Sequence, residues 1–143
     1  MSAAFAQPQW QQGNGVRNQY STGKRQMPDI SAVAYAIAVY QDGQWTGNGG
    51  TSAATPIWAA GMLLTNQAIE QKTSGTFVYG PDVFYTVANN AGNMRPFFDV
   101  TQGNNLFYSA TPGWDDATGI GTPNLVDFGN VVYNLLQQQS QSQ

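Results

Sequence analysis

The sequence predicts one globular domain in which helices pack against a buried, parallel strand. Residues 30–40 are an apolar, β-branched run without the alternation of a half-exposed strand, and such runs are typical of strands covered on both faces. Residues 57–69 are apolar on nearly every side of a helix, and apolar side chains recur at helical spacing from 125 to 136. A chain of 143 residues suits one compact domain better than two.

The remaining elements are short and are marked by turn residues. Asp42 and Gly43 suit the tip of a tight hairpin, and Pro81 suits the first turn of a helix. In chain order we expect a short helix or arm at 5–11, a hairpin around 39–46, a short helix at 82–88, and a frayed polar tail at 137–143 that follows a domain of residues 1–136.

The composition excludes several classes of protein. Only 9% of the residues are charged and the net charge is −3. Because few carboxylates can be protonated, the net charge changes little as the pH falls, which favours acid tolerance. An ordinary secreted composition is the alternative. The five basic residues form no patch for nucleic acid, and no apolar stretch reaches the roughly 20 residues of a membrane helix. The first five residues do not resemble a signal peptide, so the chain either stays inside the cell or has an export signal upstream.

The chain contains no histidine and no cysteine. Imidazole bases, thiol nucleophiles and thiolate metal sites are therefore excluded. A nucleophilic serine in this chain needs a different base.

The best candidate nucleophile is Ser52, which follows Gly49, Gly50 and Thr51 and opens the apolar helix. Glycines allow a tight bend, and the start of a helix offers free N–H groups and a positive dipole end to a developing oxyanion. A serine or threonine in this place is also the ordinary N-cap of a helix. The spacing alone favours the N-cap interpretation and leaves both open.

Five motifs in chain order resemble those of the sedolisins, a family of serine-carboxyl peptidases. Gly-Thr-Ser-x-x-x-Pro is the nucleophile signature of the subtilisin-like fold, and it extends here to GGTSAATPIWAA. The matching segments are residues 5–11, 25–32, 49–60, 98–104 and 112–124. Together they are spread over nearly the whole chain.

The resemblance implies a fold, an activity and a location. The fold is the subtilisin-like α/β fold with its parallel sheet, of which this chain would be the C-terminal part only. The activity is endo- or tripeptidyl-peptidase hydrolysis at acid pH by a secreted protein, with Ser52 as the nucleophile. Sedolisins replace the histidine base by a glutamate that an aspartate supports, which agrees with the absence of histidine here.

The other catalytic side chains of the family have no counterpart in this sequence. The glutamate and aspartate pair, and the aspartate of the oxyanion hole, precede the segment that matches residues 5–11. Glu70 lies about 27 Å along the helix from Ser52 at about 1.5 Å per residue, Asp29 matches a structural position, and Asp42 suits a turn. We therefore expect that the chain alone does not hydrolyse peptides. The alternatives for its origin are a processed or engineered fragment, one half of a split enzyme, and a truncated relic.

The same resemblance implies a bound calcium ion. Asp99 and Asp115 flank a stretch rich in glycine and asparagine, and hard cations take carboxylate and carbonyl oxygens from a chain that bends around them. By the family match, these two aspartates give side-chain oxygens, while Val100, Thr111 and Gly113 give backbone carbonyls. Thr111 stands where the family often has glycine. Two ordinary turn aspartates are the alternative.

The expected partners follow from the incomplete sheet. Strands that lack their neighbours leave apolar surface uncovered, so besides a peptide substrate we expect the N-terminal part of the peptidase domain, or self-association. The rival function is a non-catalytic calcium-binding fragment, and an in-frame upstream segment with the missing carboxylates would decide between the two. A carbohydrate-binding module, suggested by the four tryptophans, would require the five ordered motifs to be coincidence.

Overall fold

Three helices and two short antiparallel ribbons form the regular secondary structure of the described residues. The structure is a computed structural model, and it describes residues 1–73 and 80–141. β1 pairs with β2 and β3 pairs with β4, both antiparallel. None of the helices in these ranges is long and apolar enough to cross a membrane. The elements in chain order are β1 (Ile37–Gln41), β2 (Gln44–Asn48), α1 (Thr51–Glu70), α2 (Pro81–Asn89), β3 (Phe97–Phe98), β4 (Thr122–Pro123) and α3 (Leu125–Ser140).

The three helices meet in an aromatic core. Phe128 of α3 is completely buried, and the ring centroids of Trp58 from α1 and Phe84 from α2 each lie 6.2 Å from its own. Phe97 of β3 completes the group with a ring centroid 5.8 Å from that of Phe128. Tilted and edge-on ring pairs add about 0.5–1.5 kcal/mol each beyond the area that they bury. This cluster therefore fixes the helix that carries Ser52.

A buried hydrogen-bond network joins the N-terminal segment to α2. Gln11 Nε2 donates to the hydroxyl of Tyr85 at 2.9 Å, and that hydroxyl donates to Asp29 Oδ1 at 2.7 Å. Asp29 also forms an ion pair with Arg25. Since buried polar groups destabilise the fold unless they are paired, this network fixes Asp29 in the structural role that the motif order assigns to it.

The tyrosine at the centre of this network should make folding sensitive to alkaline pH. Burial raises the pKa of Tyr85 well above its ordinary value, the bond from Gln11 lowers it in part, and Asp29 raises it further. The native state thus keeps a proton that the unfolded chain loses near pH 10. The corresponding stability is complete below about pH 10 and is lost as the pH rises toward the folded-state pKa.

Tyr85→Phe is accordingly expected to lower the free energy of unfolding by about 1–3 kcal/mol at neutral pH, because Gln11 and Asp29 each lose a buried partner. The variant should also lose less stability than the parent chain above about pH 10. Urea unfolding at neutral and alkaline pH measures both effects, with the exposed Tyr35 changed to phenylalanine as the matched control. An alkaline decline as steep in Tyr85→Phe as in Tyr35→Phe would contradict this account.

The hairpin and the two later helices agree with the predictions. The chain turns at Asp42 and Gly43, whose φ angles are 52° and 78°, as a tight hairpin turn between right-twisted strands requires. α2 covers Pro81–Asn89, one residue more at each end than the predicted 82–88, while α3 continues to Ser140, so residues 137–140 are helical rather than tail. Residues 5–11 form an arm and not a helix, with one antiparallel bridge to the segment after it.

The buried, parallel strand predicted at 30–40 does not form within the described residues. Only Ile37–Gln41 is a strand, it pairs antiparallel with Gln44–Asn48, and every residue of β2 is exposed. A parallel strand takes its hydrogen bonds from a neighbouring strand, and none of the described strands lies beside residues 31–36. The apolar pattern predicted extended backbone, but a local pattern does not show which strand, if any, pairs with it.

The apolar run at 57–69 predicts a buried helix, and the described residues bury only part of that helix. Trp58, Met62 and Ile69 face the core, whereas Leu63 and Leu64 on the opposite side are 64% and 63% exposed. The helix starts at Thr51, one residue before Ser52, which was expected to open it. The side of α1 that carries Leu63 and Leu64 is therefore left uncovered by residues 1–73 and 80–141.

Candidate active site and calcium loop

Ser52 is the second residue of α1, and its side chain is exposed. The N-cap is Gly50, at φ 96°, a backbone conformation in the left-handed half of φ space that favours glycine. The Gly50 carbonyl accepts the N–H of Ala53 at 3.0 Å. Because Gly50 occupies the cap, the interpretation of Ser52 or Thr51 as the N-cap is wrong, and Ser52 lies in the first turn with its hydroxyl at the surface.

The turn before Ser52 and the helix after it are both hydrogen-bonded to the segment 31–34. Gly50 N–H donates to the carbonyl of Ala34 at 2.6 Å, and a Cβ on Gly49 would lie only 3.0 Å from the same oxygen. Further along α1, Trp58 Nε1 donates to the carbonyl of Ser31 at 2.7 Å. The helix carrying Ser52 and the segment 31–34 are thus joined as one unit, and a larger residue at 49 would separate them.

Three acids were considered as a base for Ser52, and the structure describes the place of each. Glu70 is the last residue of the same helix, and both oxygens of Asp29 are engaged by Tyr85 and Arg25. Asp42 lies at the tip of the exposed hairpin. Glu70 thus lies at the far end of the helix that Ser52 opens, Asp42 lies at the far end of the hairpin, and Asp29 is held in other contacts.

The two predicted side-chain ligands of calcium face the same short segment of chain. Asp99 Oδ2 accepts the N–H of Gly113 at 2.7 Å, and Asp115 Oδ2 accepts the N–H of Thr111 at 2.9 Å. Each aspartate is thus tied to residues 111–113 by a hydrogen bond, and the groups of Thr111 and Gly113 that point at the carboxylates are N–H groups and not carbonyls. Val100 follows Asp99 in sequence, and no hydrogen bond ties it to the loop in the described part of the chain.

Asp115 is the buried anchor of this loop. Asp115 is 3% exposed. Its Oδ1 accepts hydrogen bonds from the backbone N–H groups of Ala117 at 2.9 Å and Thr118 at 2.8 Å. A buried carboxylate that accepts several N–H groups folds the chain around itself. Asp99, by contrast, is exposed, so the two aspartates differ in how much the fold depends on them.

Asp116 is a further acidic residue of the loop that sequence reasoning missed. It is 5% exposed, its Oδ2 accepts from Asn18 Nδ2 at 3.1 Å, and its Oδ1 is buried without a hydrogen-bond partner among the described residues. Burial raises the pKa of Asp116, the bond from Asn18 lowers it in part, and the charge of Asp115 raises it further. The signal was the Asp-Asp pair itself, in a chain with few charges.

The oxygen donors of this loop fit a hard cation in kind. Asp115, Asp116 and Thr111 line a cavity of about 130 Å³, and an unpaired buried carboxylate oxygen is an atom that a cation or its bound water would satisfy. No group of three or more acidic, histidine or cysteine side chains placed to hold a metal occurs in residues 1–73 and 80–141. Backbone carbonyls would therefore have to complete the coordination.

Comparison with known proteins identifies the family. No protein-family model matches the chain. It is 34% identical to tripeptidyl-peptidase sed1 of Aspergillus fumigatus over 73% of this chain and 16% of that protein. It is 35% identical to aorsin of Aspergillus oryzae over the same shares, and 32% identical to kumamolisin of a Bacillus species over 86% of this chain and 23% of that protein. The chain thus spans less than a quarter of these relatives.

A solved structure agrees with these relatives. Pseudomonas sedolisin, a serine-carboxyl proteinase complexed with two molecules of pseudo-iodotyrostatin, superposes with a TM-score of 0.76 at 27% identity, covering 93% of this chain and 35% of that one. The predicted resemblance is confirmed. The chain belongs to the sedolisin family of serine-carboxyl peptidases, and it has the C-terminal part of their subtilisin-like α/β fold.

Proposed function

We propose that this chain provides the nucleophile-bearing part of a secreted serine-type (serine-carboxyl) peptidase that hydrolyses peptide bonds at acid pH. Ser52 is the nucleophile, and the glutamate and aspartate that act as its base lie on a segment outside these 143 residues. The observation that carries the proposal is the exposed Ser52 in the first turn of α1, behind a turn that Ala34 holds in place. The chain alone is inactive.

The chemistry follows from the position of Ser52. Its hydroxyl attacks the scissile carbonyl, and the free N–H groups and positive dipole end of the helix stabilise the oxyanion that forms. The hydroxyl proton must pass to a carboxylate, because the chain contains neither histidine nor cysteine. Since carboxylates share and exchange protons at low pH, whereas imidazole titrates near neutrality, activity is greatest in acid.

We propose in addition that the loop binds a calcium ion through Asp99 and Asp115, with carbonyl oxygens of Val100, Thr111 and Gly113. The convergence of both carboxylates on residues 111–113 supports this. When bound, the ion cross-links two segments of the loop and stabilises the folded state by mass action. It takes no part in proton transfer.

The exposed side of α1 that carries Leu63 and Leu64 is the surface that binds the partner. Leu63 and Leu64 are largely exposed there, and residues 31–36 beside the same helix have no strand neighbour among the described residues. Large contiguous apolar surface marks an interface. The partner is therefore the N-terminal part of the peptidase domain or, in its absence, a second copy of the chain.

The isolated chain is expected to self-associate, and changing Leu63 and Leu64 together to glutamine should weaken association by about tenfold or more, because each buried leucine contributes about 1.5–3 kcal/mol. Sedimentation at several concentrations measures the effect. Leu106→Gln is the control, since that leucine is fully exposed on a loop outside α1. A parent chain that stays monomeric at every concentration would contradict the proposed interface.

The peptidase proposal is tested by complementation. The chain is mixed or fused with the N-terminal part of Pseudomonas sedolisin, and hydrolysis of a peptide is followed from about pH 3 to about pH 8. We expect cleavage that is greatest in acid from the complemented protein and none from the chain alone. Cleavage by the chain alone would contradict the missing-base account, and a folded complement without activity would favour the non-catalytic fragment.

A further inference from the structure

Two Asn-Gly sequences occur in this chain, Asn14-Gly15 and Asn48-Gly49, and both asparagines are exposed, but their backbone contacts differ. An asparagine before glycine can lose its side-chain amide, because the glycine nitrogen, with no neighbouring Cβ in its way, reaches the side-chain carbonyl carbon. We propose that Asn48 is a site of spontaneous deamidation that alters the turn before Ser52, whereas Asn14 is protected by its packing.

The geometry at Asn48 favours the reaction. Asn48 is the last residue of β2, and both it and Gly49 are exposed. Gly49 N–H donates to Asn48 Oδ1 at 2.7 Å, so the side chain lies folded over the very nitrogen that would attack it, with Cγ one bond from that oxygen. Asn48 pairs with Ile37 at the end of the ribbon, but the Gly49 N–H bonds to a side chain and not to a strand, so the attacking group itself has no ladder hydrogen bond to break.

The reaction needs only water. The Gly49 nitrogen loses its proton and forms a bond to Asn48 Cγ, and the side-chain nitrogen leaves as ammonia, which gives a five-membered succinimide. Water then opens the ring at one of its two carbonyls, and the product is aspartate or isoaspartate. Because the attacking nitrogen must be deprotonated, the rate falls as the pH falls.

Asn14-Gly15 is the contrasting site. The Asn14 carbonyl accepts the N–H of Trp114 at 2.8 Å, and a Cβ on Gly15 would lie 2.1 Å from the Trp114 carbonyl. The side chain of Asn14 packs against Gly113, where a Cβ would lie 2.7 Å from its Nδ2. Moving either residue into the succinimide geometry would therefore require this part of the fold to open.

Deamidation at Asn48 would change the nucleophile turn in two ways. It adds a negative charge four residues before Ser52, and the isoaspartate product adds a carbon to the backbone path. The bond from Gly50 N–H to Ala34, at 2.6 Å, sets the position of that turn and cannot keep its length with a longer chain. Acid conditions preserve the turn, because they suppress the first step.

The test is peptide mapping of the full chain after incubation at neutral and at acid pH. Trypsin should release Asn48 within residues 26–72 and Asn14 within residues 1–17, and mass spectrometry separates deamidation from isomerisation at Asp42-Gly43, which leaves the mass unchanged. At neutral pH we expect Asn48 to react at least about tenfold faster than Asn14. In urea, where the fold is lost, the two rates should converge.

Asn48→Gln is the matched variant, because its longer side chain would have to close a less favourable ring while the amide is kept. It should remove the neutral-pH modification from residues 26–72 and leave residues 1–17 unchanged. Equal rates at Asn14 and Asn48 in the native chain would overturn the proposal, as would a rate at Asn48 that is the same in acid as at neutral pH. The outcome does not depend on peptidase activity, so it stands apart from complementation.

Discussion

Ser52→Ala is expected to lower kcat of the complemented peptidase by about 10⁴- to 10⁶-fold, because loss of the nucleophile in a serine peptidase removes nearly all of the chemical step. KM should change little, since the serine hydroxyl contributes more to the transition state than to substrate binding. Initial rates over a range of peptide concentrations measure both constants. The free energy of unfolding should stay within about 0.5 kcal/mol, because Ser52 is exposed.

Ser140→Ala is the control for this experiment. Ser140 is an exposed helical serine whose hydroxyl donates to the Leu136 carbonyl at 3.0 Å, so the change is chemically the same but lies at the other end of the described chain. It should leave kcat unchanged. Full activity in Ser52→Ala after complementation would show that another group is the nucleophile.

Asp115→Asn is expected to lower the free energy of unfolding by about 2–3 kcal/mol even without calcium, because an amide cannot accept from every buried N–H group that the carboxylate serves. If calcium binds as proposed, the parent chain should gain about 2.7 kcal/mol at 100 times Kd, and the variant should lose the corresponding rise in Tm. Thermal unfolding with calcium and with excess chelator measures both effects.

Asp99→Asn separates the two effects. Asp99 is exposed and accepts one backbone N–H, from Gly113, so its loss should cost about 1 kcal/mol or less without calcium. The calcium-dependent rise in Tm should nevertheless disappear, because both carboxylates are required. The same Tm for the parent chain in calcium and in chelator would rule out the site and leave two aspartates that only shape a turn.

The sequence predicted the features that depend on local chemistry. Asp42 and Gly43 predicted the hairpin because both residues readily take the positive φ angles of a tight turn, and Ser52 after a glycine-rich bend predicted the start of α1 to within one residue. Periodicity also predicted most of α3. These features need no knowledge of distant contacts.

The features that depend on distant contacts could not be predicted. The apolar run at 30–40 and the apolar helix both predicted burial, but no described strand lies beside residues 31–36, and Leu63 and Leu64 of the helix are exposed. The network of Gln11, Tyr85 and Asp29 joins residues up to 74 apart in sequence, and no local pattern marks it. Asp116 was missed because its burial depends on packing against Asn18.

The indole of Trp58 has a consequence for how a partner and a substrate influence one another. Its bond to the Ser31 carbonyl, with the bond from Gly50 to Ala34, makes the position of Ser52 depend on the segment that an incoming strand would meet. A strand that binds beside residues 31–34 and favours one position of the nucleophile turn raises the affinity for an inhibitor at Ser52. By thermodynamic linkage, that inhibitor raises the affinity of this chain for the N-terminal part of the domain by the same factor.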